Sequence, residues 1–141
     1  MTTFDAIKNV AASGMAAQRL RVQLAATNIA NVETTRTPEG GPYRKKEAVF
    51  QVLPMDSGAD GLPVAGVQVA GVVASNEPFI SKYDPSHPDA DSSGLVQFPN
   101  VNPVEEMVNL TEASRSFEAS VAVVRAVRTM ELSAQDLLRV Q

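Results

Sequence analysis

The residues that break helices are confined to the middle of this 141-residue chain. All nine prolines lie between Pro38 and Pro103, and seven of the eight glycines lie between Gly40 and Gly94. Proline and glycine disfavour helix interiors more than any other residues do. The two ends of the chain are therefore free to form long helices, and the middle is not. This distribution predicts an α+β protein with two helical tails and a small β-rich region between them.

The first tail is predicted to be a helix from about Thr3 to Ala30. Apolar side chains recur along it at helical spacing and form one main stripe. Small residues cover much of the remaining surface, so that another helix can approach on more than one side. At about 1.5 Å per residue, the helix is roughly 42 Å long. The stripe consists of Val10, Ala17, Leu20, Leu24 and Thr27.

The second tail opens with a strong helix-start signal and contains no breaker before Gln141. Asn102 is a favourable N-cap, Pro103 suits the first helical position, and Glu105 is placed to complete a variant of the capping box. The predicted helix is about 57 Å long. It carries two heptad-like seams, one in each half. The first seam is Met107, Leu110, Phe117, Val121 and Val124; the second is Val123, Val127, Met130, Ala134 and Leu137.

The middle of the chain is predicted to form short β-strands separated by turns. Strand-like runs occupy residues 43–53, 64–73, 79–83 and 95–98, and turn clusters occupy 38–42, 56–61 and 84–88. So few short strands make a small core that is marginal on its own. The predicted division is an N-terminal helix and its end (1–36), a β-rich region (37–101) and a long C-terminal helix (102–141).

Composition and charge exclude several classes of protein. The absence of Cys excludes disulfides, thiolate metal sites and thiol nucleophiles. The net charge is -4, and no basic face is large enough to predict a nucleic-acid partner. The one basic cluster, Arg44 to Lys46, is followed by Glu47 and predicts a solvated strand edge.

No run approaches the roughly 20 apolar residues of a membrane span, so that direct membrane insertion is not expected. The first residues do not resemble a signal peptide, so export by the general secretory route is not expected.

Two segments contain residues that could bind a metal or catalyse a reaction, but neither matches a complete motif. Residues 89–96 match part of an EF-hand loop, but Asn100 stands where a bidentate carboxylate is needed. An Asx-rich turn is therefore favoured, with a calcium-binding periplasmic module using Asp89, Asp91 and Ser93 as an alternative. The single histidine, His87, lies between prolines and is predicted to cap a loop or to face solvent rather than to catalyse a reaction. No enzyme activity, cofactor or metal is predicted.

The length of the C-terminal helix requires a large packing partner. A helix of nearly 60 Å cannot bury its stripe against a β-rich region of about 60 residues. The surplus must pack against the other tail or against the tails of neighbouring subunits. A closed pair of tails would leave small residues such as Ala11, Ala12 and Ala16 outside. The pattern predicts a polymer or bundle with a shared helical core, and a monomeric helical hairpin with a β insertion is the alternative.

Five blocks of sequence, in order, resemble one known family. Residues 24–34, LAATNIANVET, resemble the motif that follows the first helix in the bacterial flagellar rod and hook family. Asn28 and Asn31 within it are suited to bind the backbone where a helix ends. The remaining blocks resemble the C-type subunits of the proximal rod within that family. These are Gly41-Pro42-Tyr43-Arg44 with Val49-Phe50-Gln51, His87-Pro88 with Gly94, residues 99–102, and residues 106–109 with 113–119.

The resemblance implies a non-enzymatic structural subunit of the flagellar basal body. Such subunits polymerise helically with other rod subunits into a drive shaft that carries torque across the periplasm, between the rotor and export-gate end and the hook. They are exported by the flagellar type III apparatus. Their terminal helices form a coiled-coil-like inner layer around the export channel and are commonly disordered before assembly. Another rod or hook axial subunit is the alternative. The residues expected to carry assembly are Leu20, Leu24, Asn28, Asn31, Met107, Leu110, Phe117, Val121 and Val124.

Overall fold

The computed structural model describes residues 3–55 and 63–139, apart from the side chains of 138 and 139. Its elements in chain order are α1 (Thr3–Ala30), β1 (Lys46–Met55), β2 (Val64–Ala74), β3 (Ile80–Tyr83), β4 (Leu95–Phe98) and α2 (Pro103–Arg139). The predicted α+β order is confirmed, and so are the predicted bounds of α1. The predicted turn at 56–61 and the last two residues of the predicted second helix lie outside the described residues.

The two helices pack against each other as an antiparallel pair. The Nζ atom of Lys8 lies 3.2 Å from Glu131 Oε2, and Gly14 faces Ser120, whose Oγ would lie 3.9 Å from a Cβ placed on that glycine. Most of the less exposed positions of α2 recur at alternating spacings of four and three, as in a coiled-coil seam. This seam consists of Glu106, Leu110, Ala113, Phe117, Ser120, Val124, Val127, Glu131 and Ala134, and Val121 is half-buried beside it.

The helices differ in length. α2 has 37 residues and α1 has 28, a difference of about 13 Å along the axis. Because Asn28 lies beside Glu106 near one end of the pair, most of this excess projects past the first residue of α1. Over the described residues, neither helix is long and apolar enough to cross a membrane.

The strands form two separate ribbons instead of one sheet. β1 and β2 pair antiparallel from Lys46↔Ala74 to Met55↔Val64, with an irregularity between Val49 and Phe50. β3 and β4 pair antiparallel from Ile80↔Phe98 to Tyr83↔Leu95.

The β1–β2 hairpin lies directly on α1. The Oγ atom of Ser13 donates to Val10 O at 2.7 Å and accepts the amide N–H of Val67 at 3.1 Å. Gly66 is buried at this contact, and a Cβ on it would lie 2.7 Å from Ser13 Oγ and collide with the methyl group of Met55. The hairpin therefore depends on a glycine to reach the helix surface.

The predicted start of α2 is confirmed in part. The Oδ1 atom of Asn102 accepts the amide N–H of Val104 at 3.1 Å, and Pro103 is the first helical residue. The prediction of a capping box was wrong, because Glu105 makes no hydrogen bond back to Asn102 within the described part of the chain. One side-chain cap with two acidic residues in the first turn is enough to begin the helix here.

The predicted start of β1 was wrong by three residues. Tyr43 was expected in the strand, but its amide N–H donates to Thr34 O at 3.0 Å. It belongs to the connector that follows α1. Pairing begins at Lys46 and continues through Pro54 to Met55. The bounds of the other strands differ from prediction by one residue at most.

Candidate assembly surface

Asn28 lies in the last turn of α1, is 1% exposed, and uses its whole hydrogen-bonding capacity. Its Nδ2 donates to Glu106 Oε2 at 2.9 Å and to Lys46 O at 3.0 Å. Its Oδ1 accepts the hydroxyl of Tyr43 and the amide N–H of Lys46, both at 2.9 Å. A side-chain amide has two donor hydrogens and two acceptor lone pairs, and all four are satisfied. Asn28 thus joins α1 to α2, to the connector and to β1.

Glu106, in the first turn of α2, is 2% exposed. Its Oε1 accepts Lys45 Nζ at 3.1 Å and Asn109 Nδ2 at 3.4 Å, while Lys45 also lies 3.3 Å from Glu47. A buried carboxylate is tolerated only when charge and hydrogen bonds compensate for lost water. Asn28, Tyr43, Lys45, Lys46 and Glu106 are called the polar cluster below.

The polar cluster shifts the pKa values of two of its members. Burial disfavours the charged ammonium of Lys45, but the hydrogen bond to Glu106 and the charges of Glu106 and Glu47 outweigh that effect and raise the pKa of Lys45. Burial of the phenol, reinforced by the charge of Glu106, raises the pKa of Tyr43. The folded chain therefore holds both protons more tightly than the unfolded chain does.

The predicted solvated strand edge at Arg44 to Lys46 was wrong for Lys45, which pairs with a buried carboxylate because the connector turns inward there. Arg44 remains exposed and stacks over Phe79, 4.4 Å from the ring centre. Lys46 is exposed too, with its ammonium 5.9 Å from the centre of the Tyr43 ring.

The nine predicted assembly residues differ in how deeply the structure buries them. Asn28 is buried, and Met107 is 54% exposed. Asn31 closes α1 as predicted, donating from Nδ2 to Thr27 O at 2.9 Å and accepting the hydroxyl of Thr34 at 3.1 Å. The other six are half-buried on the two helices: Leu20, Leu24, Leu110, Phe117, Val121 and Val124.

Glu106, Tyr43 and Lys45 were absent from the predicted set. One signal could have revealed Glu106, because it lies four residues before Leu110 and seven before Ala113, in phase with the apolar seam. A carboxylate in that phase predicts a buried partner, since acidic residues are almost never fully buried unless paired. Nothing in the local sequence indicates that the partners come from the connector.

Many apolar side chains of the helix pair stay exposed. Ala12 and Ala16 are exposed and Ala11 is half-buried, largely as expected for a closed pair of tails. Exposed apolar surface beyond isolated residues marks interaction sites in soluble proteins. On α2 the exposed large apolar side chains are Val104, Met107, Val108, Val123, Met130, Leu132 and Leu137.

An apolar groove of about 590 Å³ lies between α1, β2 and α2. None of its eleven lining residues is charged. Gly14 on α1 contributes no side chain, which leaves the groove open between the helices. The principal apolar side chains along it are Ile7, Val10, Val64, Val67 and Val123.

The partial EF-hand segment is an Asx turn. The carboxylate of Asp91 accepts the amide N–H groups of Ser93 at 2.8 Å and Leu95 at 2.9 Å. Asp89 pairs with Arg36 and accepts the hydroxyl of Thr35 at 2.8 Å. Within residues 3–55 and 63–139, no group of three or more His, Asp or Glu side chains is arranged to hold a metal ion. The geometry favours the turn over calcium binding.

His87 stabilises its own loop. Its Nδ1 accepts the amide N–H of Asp89 at 3.1 Å, and its ring meets the Phe98 ring edge-on with centres 6.1 Å apart. The predicted loop-capping role is confirmed.

Comparisons with known proteins cover both the helix pair and the region between the helices. The family described as "Flagellar basal body rod FlgEFG protein C-terminal" matches residues 92–137. The chain is 41% identical over 156 aligned positions to "Flagellar basal-body rod protein FlgC" of Borreliella burgdorferi, covering 99% of each sequence. The protein of that name from Salmonella typhimurium is 44% identical, with 89% of this chain and 91% of the relative covered. The one from Bacillus subtilis is 36% identical, with 97% and 99% covered.

Proposed function

The chain belongs to the family of flagellar basal-body rod proteins that its relatives name FlgC, and we propose that its antiparallel helix pair is the unit that polymerises into the inner layer of the rod. It is a structural subunit of the basal body and not an enzyme. The observation that carries the polymerisation proposal is the apolar surface that the closed helix pair leaves exposed along α2.

The proposed place of this subunit is the proximal part of the rod, the drive shaft that transmits torque across the periplasm. A shaft needs rigid elements with fixed relative positions. α2 is uninterrupted over 37 residues, and the buried contact between Asn28 and Glu106 holds it against α1 at one end of the pair. These two features support a load-carrying role.

The proposed partners are other rod subunits, the rotor and export-gate end of the basal body, and further copies of this chain. We propose that the subunit reaches them through the flagellar type III export apparatus and then surrounds the export channel. Contacts between different faces of successive subunits build an open helical assembly, because such contacts do not close into a ring.

The nine predicted residues divide into two proposed roles. Asn28 and Asn31 fix the end of α1, and Met107 offers an exposed apolar side chain to a neighbour. The half-buried residues stabilise the helix pair that a neighbour recognises. They are Leu20, Leu24, Leu110, Phe117, Val121 and Val124.

The proposed function can be tested by purifying hook–basal bodies from cells that produce an epitope-tagged copy of the chain. Quantitative mass spectrometry should find the tagged chain in particles from which filaments have been removed. Cells with an inactivated flagellar export gate should retain it inside the cell. Its absence from particles with complete rods would contradict the proposal. A small cytoplasmic protein carrying the same tag controls for contamination.

A further inference from the structure

We propose that the cleft between α1, β1 and α2 receives an acidic side chain of a neighbouring rod subunit, whose carboxylate binds Arg21. This inference rests on the proposed function and deepens it, because it names the chemistry by which this chain recognises a neighbour. The cleft is polar and shares no lining residue with the apolar groove.

Arg21 lies on the side of α1 that faces the interior of the helix pair. It precedes Ala25 and Asn28 by four and seven residues, which places the three on one stripe of the helix. Ala25 is 4% exposed and Asn28 is 1% exposed, and Arg21 itself is half-buried. Charged side chains are rarely buried without a partner, so an arginine on this stripe is expected to have an anionic one.

No carboxylate among the described residues pairs with Arg21. Its Nη1 atom donates to the neutral side chain of Gln18 at 3.2 Å, although a guanidinium carries five N–H donors. The carboxylates that line the cleft belong to Glu47 and Glu106. Both contact Lys45 instead, at 3.3 and 3.1 Å. Over residues 3–55 and 63–139, the guanidinium therefore has one neutral partner and no anionic one.

The lining of the cleft has an excess of positive charge. Its three cations are Arg21, Lys45 and Lys46, and its two anions are Glu47 and Glu106. The chain as a whole carries a net charge of -4. Because both carboxylates contact Lys45, the cations of the lining that lack an ion pair among the described residues are Arg21 and Lys46. One incoming carboxylate would balance the charge of the cleft.

The size and charge of the cleft limit what can enter it. Its volume is about 230 Å³, which accommodates a side chain but not a helix about 10 Å across. A guanidinium binds a carboxylate through two parallel hydrogen bonds. A phosphate dianion fits less well, because it would bring a second negative charge towards Glu47 and Glu106. The guest that suits this cleft is the side chain of an Asp or Glu.

The polar cluster fixes the walls of the cleft before a partner arrives. Asn28 and Glu106 both line it, and a buried hydrogen bond of 2.9 Å joins them. A preformed site avoids the entropic cost of ordering its own side chains on binding. An ion pair that a neighbour shields from water also contributes more than one on an open surface. Arg21 therefore favours a neighbour that carries a carboxylate at the matching position.

Carbodiimide cross-linking tests directly for the carboxylate. Arg21→Lys keeps the positive charge and places a primary amine in the cleft. In isolated hook–basal bodies, the carbodiimide activates a carboxylate, and an amine in contact with that carboxylate forms an amide and releases the urea. Arg19→Lys is the matched control, because Arg19 is exposed and lies about 200° away around α1. Peptide mass spectrometry identifies the residues that are joined.

We expect Arg21→Lys to give at least about tenfold more amide to an Asp or Glu of another subunit than Arg19→Lys gives. The inference is overturned if position 21 forms no amide, forms amides only within its own chain, or gives the same yield as position 19. Each of these results, obtained in rods that contain the variants, leaves the proposed function intact. Complete rods that lack this chain would overturn both proposals.

Competition for incorporation gives a second readout that does not depend on the reach of a lysine amine. Cells produce the native chain and a differently tagged variant in equal amounts, and isolated basal bodies are assayed for both. Arg21→Gln removes the charge and should be about tenfold under-represented, whereas Arg19→Gln should incorporate as the native chain does. Equal incorporation of Arg21→Gln and Arg19→Gln would overturn the inference.

The stability of the free chain separates recognition from folding. Because the one hydrogen bond of Arg21 among the described residues goes to Gln18 on the same helix, Arg21→Gln should keep the urea midpoint of the native chain. A lowered midpoint in Arg21→Gln but not in Arg19→Gln would show that Arg21 serves the fold and would overturn the inference.

Discussion

The Nδ2 atom of Asn28 donates a 2.9 Å hydrogen bond to the buried Oε2 atom of Glu106, 78 residues away in sequence. The bond joins the last turn of α1 to the first turn of α2. A slip of one helix along the other would separate both groups from their partners in the interior. Single buried polar residues fix the register of coiled coils in the same way. We therefore regard this pair as the element that sets the axial position of the helices.

Asn28→Ala should destabilise the folded chain strongly. The substitution leaves the carboxylate of Glu106 and the hydroxyl of Tyr43 short of one buried partner each. We expect the free energy of unfolding to fall by about 2–4 kcal/mol, as measured by urea denaturation followed by circular dichroism. Asn31→Ala, at the more exposed end of α1, should cost less than about 1 kcal/mol. Equal effects would contradict a special role for Asn28.

The stability of the folded chain should decrease at alkaline pH. The pKa values of Tyr43 and Lys45 are raised above their ordinary values of 10.0 and 10.5. Groups with raised pKa values contribute stability that is complete below the ordinary pKa and is lost as pH rises through the folded-state value. Urea midpoints measured between about pH 8 and 11 should therefore fall towards the alkaline end.

Tyr43→Phe separates the two contributions to this pH dependence. Removing the buried phenol should make the alkaline decline shallower than in Tyr83→Phe, whose exposed ring lies outside the polar cluster. Identical slopes in the two variants would show that the buried phenol does not contribute.

The helices were predictable because their signals are local. A stretch without proline and with a single glycine predicted α1, and Asn102 with Pro103 predicted the start of α2. The interior of the helix pair was less predictable. The heptad spacing of α2 could have predicted that Glu106 is buried. It could not have predicted its partner Lys45, because Lys45 lies on a connector whose inward turn depends on tertiary contacts.

The strands show the same limit. Alternating apolar and polar residues predicted where the β-strands occur. Tyr43 nevertheless lies outside β1, because its amide N–H donates to Thr34 O and its hydroxyl donates to Asn28, near the end of α1. That β1–β2 and β3–β4 form separate ribbons also follows from tertiary packing. The contact between Ser13 and Gly66 holds the β1–β2 ribbon on α1. These residues are 53 positions apart in the sequence, so a local sequence pattern cannot predict their contact.

Gly66→Ala should weaken the contact between the β1–β2 hairpin and α1. The new methyl group would lie 2.7 Å from Ser13 Oγ, so that the hairpin must shift. We expect a loss of about 1–3 kcal/mol in the free energy of unfolding. Gly71→Ala is the matched control, since a Cβ there meets nothing within 4 Å. A similar effect of both substitutions would show that glycine flexibility, and not close packing, governs Gly66.

Val121→Glu should block rod assembly while leaving expression of the chain intact. Val121 is half-buried on α2, and a carboxylate there loses hydration without a partner charge. Swimming on soft agar and immunoblots of cells and isolated basal bodies measure the outcome. Val121→Ala keeps the position apolar and should still assemble. Normal incorporation and motility of Val121→Glu would show that an apolar side chain at this position is not needed for assembly.

Electron microscopy of basal bodies from a strain that lacks this gene tests the central claim most directly. If the chain is a structural subunit of the rod, the deletion strain should lack complete rods, hooks and filaments, and a plasmid copy of the gene should restore them. Complete rods in the deletion strain would contradict the assignment of this chain to the rod.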